Sequence, residues 1–150
     1  MSVYNMIRDS LPHTVPYARR TGIELADVGD GIATAKMSQT HDNSNHMGTV
    51  HSGALFTLAE TAAGAAIAGA FAPFLMKGLK AFPTDLSIKY KTAAKGAIKA
   101  EACIPSNISD TRVEISEDGK ARVTVSVVLS SQSGEVDVGS AESEWKLKLG

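Results

Sequence analysis

The stretch HSGALFTLAETAAGAAIAGAF, residues 51–71, decides the fold, because it is a long apolar run that holds one charged residue. Glu60 is the only Asp, Glu, Lys or Arg between Gly48 and Met76. The Ala and Gly content predicts a helix that a sheet wraps closely, beginning at Ser52 as N-cap and ending near Phe71. A carboxylate in such a run is costly unless something compensates it. Glu60 is therefore a candidate functional residue.

Residues 53–76 are also long enough to span a bilayer. Three features favour a core helix instead. The small Ala and Gly side chains give a weak hydrophobic drive, Glu60 is costly in lipid, and Pro73 interrupts the end of the segment. We therefore expect a helix inside a soluble domain and no membrane partner.

The flanking sequence predicts strands. Residues 23–38 predict two short strands around an Asp30-Gly31 turn, and from residue 80 the apolar positions recur with a period of two. EDGK at 117–120 predicts a hairpin between strands 111–116 and 121–131, and a last strand includes Trp145. Residues 3–19 predict one short helix in an N-terminal helical segment (residues 1–20). The order predicts a single α+β domain over residues 1–150, an antiparallel sheet around one long helix.

One such sheet leaves an open edge and covers one face of the helix poorly. Edge-to-edge pairing of two copies removes both problems. We therefore expect a homodimer or a dimer of dimers.

The composition narrows the class of partner. Fifteen Lys and Arg residues balance 16 Asp and Glu residues, which argues against general nucleic-acid binding. The chain has one cysteine, Cys103, which suits a reducing cytoplasm and is expected to be a buried structural thiol. The first residues lack the apolar core of a signal peptide. We therefore expect a cytoplasmic protein.

A lysine-rich segment follows the predicted helix, and two interpretations of it stay open. It is either a solvated strand face or a patch that attracts an anionic ligand such as a phosphorylated cofactor. Asp85 is the only acid in this segment. The lysines are Lys77, Lys80, Lys89, Lys91, Lys95 and Lys99.

The polar loop HDNSNHMGTVHSG, residues 41–53, runs directly into the helix. The first turn of a helix offers free N–H groups and a positive dipole end, which suit a developing oxyanion. Glu60 lies about two turns further on. These groups suit hydrolysis of an acyl compound by a general base or a carboxylate nucleophile. The histidine spacing is not that of a metal site, and Ser52 lacks a nucleophile elbow, so no metal is expected.

The same residues resemble a known family. The pattern N-x-x-G-x-x-H-x-G-x-L-x-x-L-x-E is similar to the signature of hotdog-fold acyl-CoA thioesterases of the PaaI type, and PTDLSIKY at 83–90 resembles the family's strand after the helix. The first of these patterns begins at Asn45 and ends at Glu60, and its other defined positions are Gly48, His51, Gly53, Leu55 and Leu58.

This resemblance implies a thioester hydrolase with coenzyme A as part of its substrate and no separate cofactor. Glu60 matches the acid that acts as base or nucleophile. The backbone N–H of Ser52, with Gly53 beside it, matches the donor to the thioester carbonyl. Asn45 and His51 match the loop amide and the loop histidine of the site. In the family, the site lies at the dimer interface, and the acid of one subunit faces the loop of the other subunit or the second strand of its partner.

The sequence departs from the family at two positions. Ser52 replaces a glycine, and its side chain adds bulk beside the expected thioester. Pro83 replaces a Ser or Thr that supports the water in many members, with Thr84 expected on the other strand face. The Pro83 departure favours the rival interpretation, a non-catalytic acyl-CoA or acyl-carrier binding protein. A hotdog hydratase or dehydratase ranks third, and a purely structural dimer last.

Overall fold

A computed structural model describes residues 2–150. The N-terminal half of the chain contains α1 (Val3–Thr14), α2 (Pro16–Thr21), β1 (Ile23–Val28), β2 (Ile32–Met37), α3 (Ser52–Ala70) and α4 (Ala72–Leu75). The rest contains β3 (Lys80–Tyr90), β4 (Ile98–Cys103), α5 (Ile108–Asp118), β5 (Lys120–Ser131) and β6 (Asp137–Lys148). The predicted α+β class and the predicted long helix are confirmed.

The six strands form one antiparallel sheet in the order β1-β2-β4-β5-β6-β3, which curls around α3. The small residues of α3 allow this close approach. A Cβ added at Gly69 would lie 2.0 Å from the carbonyl oxygen of Gly29, so the helix end touches the β1–β2 turn through its backbone. The edge strands are β1 and β3, and β3 is largely exposed along its length.

The N-terminal segment is two helices, so the prediction of one helix over residues 3–19 is wrong. The break falls at Val15, which has the extended conformation that a residue before proline prefers. Pro16 then begins α2, where its missing N–H costs nothing.

The segment before Gly119 is the helix α5, so the predicted hairpin at EDGK and the strand 111–116 are wrong. The Asn107 side chain accepts a hydrogen bond from the Asp110 N–H at 3.2 Å and caps the start. Gly119 ends the helix with a φ of 71°. Thr111 and Ile115, four residues apart, are buried against the rest of the fold. Asp-Gly thus ends a helix here instead of turning a hairpin.

Cys103 is exposed, so the prediction of a buried thiol is wrong. Side chains alternate along β4, and the buried position is that of the neighbouring Ala102.

Among the described residues, α3 is the one helix that is long and apolar enough to cross a membrane, with a mean hydropathy of 1.3. The fold itself buries 78% of that segment. Here α3 is the core helix that the sequence predicts.

Candidate active site

His51 caps the start of α3. Its Nδ1 accepts a hydrogen bond from the Gly53 N–H at 2.8 Å, and its carbonyl accepts from Ala54 and Leu55. The expected cap, Ser52, is instead the first helical residue. A Cβ at position 53 would lie 3.0 Å from the His51 ring nitrogen, so the glycine makes room for the histidine cap.

The Ser52 N–H is the free donor at this helix start. It has no acceptor among residues 2–150, whereas the neighbouring Gly53 N–H is engaged by His51. Ser52 is also exposed, so its side chain is accommodated without repacking. Of the two predicted backbone donors, Ser52 is the one available to a ligand.

Asn45 shapes the loop that precedes the helix. Its Oδ1 accepts from the N–H groups of Met47 and Thr49, and its Nδ2 donates to the Thr49 hydroxyl at 2.8 Å. The turn passes through Gly48 at a φ of 75°, a conformation that suits glycine. Asn45 therefore orders the loop while also lining the cavity beside it.

Asn43 and Gln39 hold this loop in place, and neither was predicted. The buried Asn43 side chain donates to the carbonyls of Thr21 and Ser38, and its backbone carbonyl accepts from the His51 N–H at 2.8 Å. Gln39 donates to the Gly48 carbonyl. In the sequence, both residues look like ordinary amides near a turn. Their hydrogen-bond partners include Thr21 and Gly48, which are not sequence neighbours, so no local pattern predicts these contacts.

Tyr90 is a further residue that the sequence did not single out. Its hydroxyl, at the end of β3, donates to the Ser52 carbonyl at 3.0 Å. Burial raises the pKa of this hydroxyl above its usual value. A cavity of about 550 Å³ lies here between the loop, the helix start and the segment after β3, and it includes Asn45, His51, Ser52, Tyr90 and Lys91 in its walls.

Glu60 lies in a second cavity of about 440 Å³, between α3, the N-terminal helices and the β3–β6 pair. The side chain is half-buried. Within residues 2–150 its carboxylate has no hydrogen bond and no ion pair. A structural role for Glu60, as a loop cap or a lysine partner, therefore finds no support in the fold of one chain.

The two cavities have no lining residue in common. Along α3, Ser52 and Glu60 are separated by about 12 Å, at 1.5 Å per residue. The chain therefore brings Asn45, His51 and Ser52 together, with Gly53 behind them in the cap, and holds Glu60 apart.

A stripe of α3 is only partly buried. Gly53, Phe56, Glu60 and Gly64 recur at helical spacing and escape full burial, whereas every residue from 65 to 70 is buried. The exposed edge of β3 has no strand beyond it in the described chain. The pairing of two copies that the sequence predicts would use an exposed edge of this kind, and it stays a prediction.

The second departure from the family pattern is visible at β3. Pro83 lines the Glu60 cavity, and the Thr84 hydroxyl donates instead to the Glu144 carbonyl at 3.1 Å. The hydroxyls that do line this cavity on α3, those of Thr57 and Thr61, donate to helix carbonyls.

The lysine-rich segment is spread over several surfaces. Lys91 lines the helix-start cavity and pairs with Asp137 at 3.1 Å, and Lys99 pairs with Glu101 at 3.3 Å. No three His, Cys, Asp or Glu side chains in residues 2–150 are grouped so as to hold a metal ion.

A family model described as a domain of unknown function, DUF4442, matches residues 5–147. No curated protein matches the chain. Among solved structures, a Pseudomonas aeruginosa protein of unknown function described as a probable thioesterase is 26% identical with a TM-score of 0.83. The match covers 97% of this chain and 95% of that one.

Two more distant structures share the fold. The E. coli PaaI protein from the phenylacetic acid degradation operon is 19% identical with a TM-score of 0.75, over 99% of this chain and 97% of that one. A hypothetical thioesterase from Streptococcus pneumoniae, solved with coenzyme A, is 19% identical with a TM-score of 0.67, over 85% and 87%. The predicted hotdog fold of the PaaI type is thereby confirmed.

Proposed function

The chain belongs to the DUF4442 family, and from that premise we propose that it is an acyl-CoA thioesterase. The family description names no activity, so the proposal rests on the site. Similar structures described as thioesterases, one of them with coenzyme A, support the reaction class. The observation that carries the proposal is the unpaired, half-buried carboxylate of Glu60 on the open stripe of α3.

In the proposed reaction, the thioester carbonyl oxygen accepts a hydrogen bond from the Ser52 N–H. The positive end of α3 stabilises the negative charge that develops there. Glu60 takes a proton from water as the water oxygen attacks the carbonyl carbon. The carbon–sulfur bond then breaks, and coenzyme A leaves as the thiol with the proton that Glu60 returns. In the alternative course, the Glu60 carboxylate attacks the carbonyl carbon, the carbon–sulfur bond breaks, and coenzyme A leaves as the thiolate. Water then hydrolyses the resulting anhydride, which restores the Glu60 carboxylate and releases the acid with one proton for the thiolate.

The two groups must come from two chains, because one chain holds them about 12 Å apart along α3. We propose that a homodimer, or a dimer of dimers, pairs the open β3 edge and the α3 stripe of one copy with those of another. The helix start of one protomer then faces Glu60 of its partner. Lys91, the one lysine in the wall of the helix-start cavity, supplies a cation for the phosphates of coenzyme A by exchanging its ion pair with Asp137.

The test compares wild type, Glu60→Gln and the matched control Glu117→Gln, which changes an exposed carboxylate of α5. Thiol release is measured on acetyl-, octanoyl- and benzoyl-CoA. We expect Glu60→Gln to lose about 100-fold or more in kcat, the range of general acid–base catalysis, and Glu117→Gln to match wild type. Equal rates for all three proteins would remove Glu60 from the mechanism.

A non-catalytic acyl-CoA or acyl-carrier binding protein is the second candidate. It is favoured by Pro83 in the Glu60 cavity and by the engaged hydroxyls of Thr57 and Thr61, which leave no threonine donor for an attacking water. This candidate predicts saturable acyl-CoA binding without thiol release by wild type.

A further inference from the structure

The cavity beside Glu60 has a wall that does not come from the sheet or from α3. Leu11 at the end of α1, Val15 at the junction and Tyr17 of α2 close one side, and Trp145 of β6 contributes to the lining as well. Its volume of about 440 Å³ falls in the usual range of small-molecule pockets, about 300–1,000 Å³.

The lining is mostly apolar, and its polar side chains are Glu60, Thr57, Thr61 and Tyr17, of which Tyr17 is 70% exposed. The Thr57 and Thr61 hydroxyls donate to the Gly53 and Thr57 carbonyls at 2.9 and 2.7 Å. The Trp145 Nε1–H donates to the Ser143 hydroxyl at 2.7 Å. Glu60 is the one charged residue in the lining. A carboxylated ligand would therefore lose water here, gain no donor from Thr57, Thr61 or Trp145, and lie beside the like charge of Glu60.

We propose that this cavity binds the acyl group of the substrate and selects hydrocarbon acyl chains, aliphatic or aromatic, over chains that end in a carboxylate. The inference rests on the proposed function, because Glu60 at the cavity wall marks where the thioester carbon lies. The N-terminal helices set the width of the cavity, and charged acyl groups are excluded.

Gly64 sets the depth of the cavity. It lies one helical turn beyond Glu60, and a Cβ added there would meet only Trp145, at 3.5 Å. A larger side chain at this position fills space that a longer acyl chain occupies. Gly64→Leu therefore shortens the accepted chain, while Gly64→Ala makes an ordinary contact with Trp145 and serves as the folding control.

The kinetic test compares kcat/KM for acetyl-, butyryl-, octanoyl- and succinyl-CoA. We expect Gly64→Leu to lower the octanoyl-to-acetyl ratio by about tenfold or more, the scale of hydrophobic pocket discrimination. Val15→Ala removes a wall contact and should lower the same ratio several-fold. Val113→Ala, an exposed valine of α5 outside this cavity, should leave it unchanged. Succinyl-CoA, which adds a carboxylate to a four-carbon chain, should react about 100-fold less well than butyryl-CoA.

A second readout does not require turnover. Trp145 is the only tryptophan in the chain, so intrinsic fluorescence reports on this cavity. In the Glu60→Gln protein, octanoyl-CoA should change the Trp145 emission saturably, and coenzyme A alone should not. Gly64→Leu added to this variant should weaken the octanoyl-CoA response about tenfold or more.

The outcomes separate the two proposals. Glu60-dependent hydrolysis with a silent Trp145 and an unchanged acyl-length profile would overturn the acyl cavity and leave the thioesterase standing. Trp145 responses to acyl chains without hydrolysis would overturn the thioesterase and support the cavity as a binding site. Equal use of succinyl- and butyryl-CoA would overturn the hydrocarbon selectivity.

Discussion

Replacing Ser52 by proline removes one N–H group and little else. Ser52 is the first residue of α3, the position where proline is favoured. His51 before it has φ −62° and ψ 138°, in the extended region that a residue before proline prefers. The Ser52 N–H has no acceptor within residues 2–150, so no hydrogen bond of that part of the chain is lost.

The expected loss of activity follows from the role of that donor. Removing one backbone or side-chain donor from an oxyanion hole costs about 100- to 1,000-fold in kcat, or about 3–4 kcal/mol of transition-state stabilisation. We expect Ser52→Pro to lose that much thiol release from the best acyl-CoA substrate. The free energy of unfolding should stay within about 0.5 kcal/mol of wild type, as for an uncoupled surface change.

Ser52→Ala is the matched control, because it removes the hydroxyl and keeps the N–H. Its kcat should stay within a few-fold of wild type, and urea unfolding of all three proteins should give similar midpoints and slopes. A folded Ser52→Pro protein with the kcat of wild type would refute the assignment of this donor. A Ser52→Ala loss as large as that of proline would move the role to the hydroxyl.

Three further predictions follow from the fold. The Ser52→Pro and Glu60→Gln proteins are each expected to be nearly inactive, and refolding them together should restore about a quarter of wild-type activity. Random pairing makes half the dimers mixed, and each mixed dimer has one intact site of its two. If no activity returned, both groups would belong to a site within one chain. Gly64→Ala should raise the free energy of unfolding by up to about 1 kcal/mol, because alanine has the higher helix propensity. Gly69→Ala should lower it by about 1–3 kcal/mol, because the added methyl group overpacks the contact with the β1–β2 turn. Equal urea midpoints for these two variants would contradict the packing of α3. Asn43→Ala should lower the free energy of unfolding by about 2 kcal/mol or more, since it leaves buried loop groups unpaired, and a midpoint equal to wild type would contradict its role in the loop.

The sequence predicts the core of the fold because its signals there are periodic. The apolar run at 51–71 and the alternation along β5 each admit one simple structure, a core helix and a half-buried strand. The short helix α5 was missed because Asp118-Gly119 suits both a tight hairpin and a helix C-cap. The Asn107 cap and the burial of Thr111 and Ile115, four residues apart, identify the helix in the structure.

The candidate site also has one part that the sequence predicts and one part that it does not. Asn45, His51 and Ser52 are neighbours in sequence, so a local motif is sufficient to predict that they meet. Tyr90 and the cavity wall at Val15 depend on contacts between distant segments, which no local pattern encodes. The separation of Glu60 follows from the rise of the helix once the helix is known.

The spacing of Ser52 and Glu60 along α3 also bears on how the rate depends on protein concentration. If each chain carries half of every site, a lone protomer has no complete site, and activity becomes a measure of association. The specific activity then falls as the protein is diluted below the dissociation constant of the pair. A twofold axis also makes the sites arise in pairs, so the first contact between two protomers completes two of them at once.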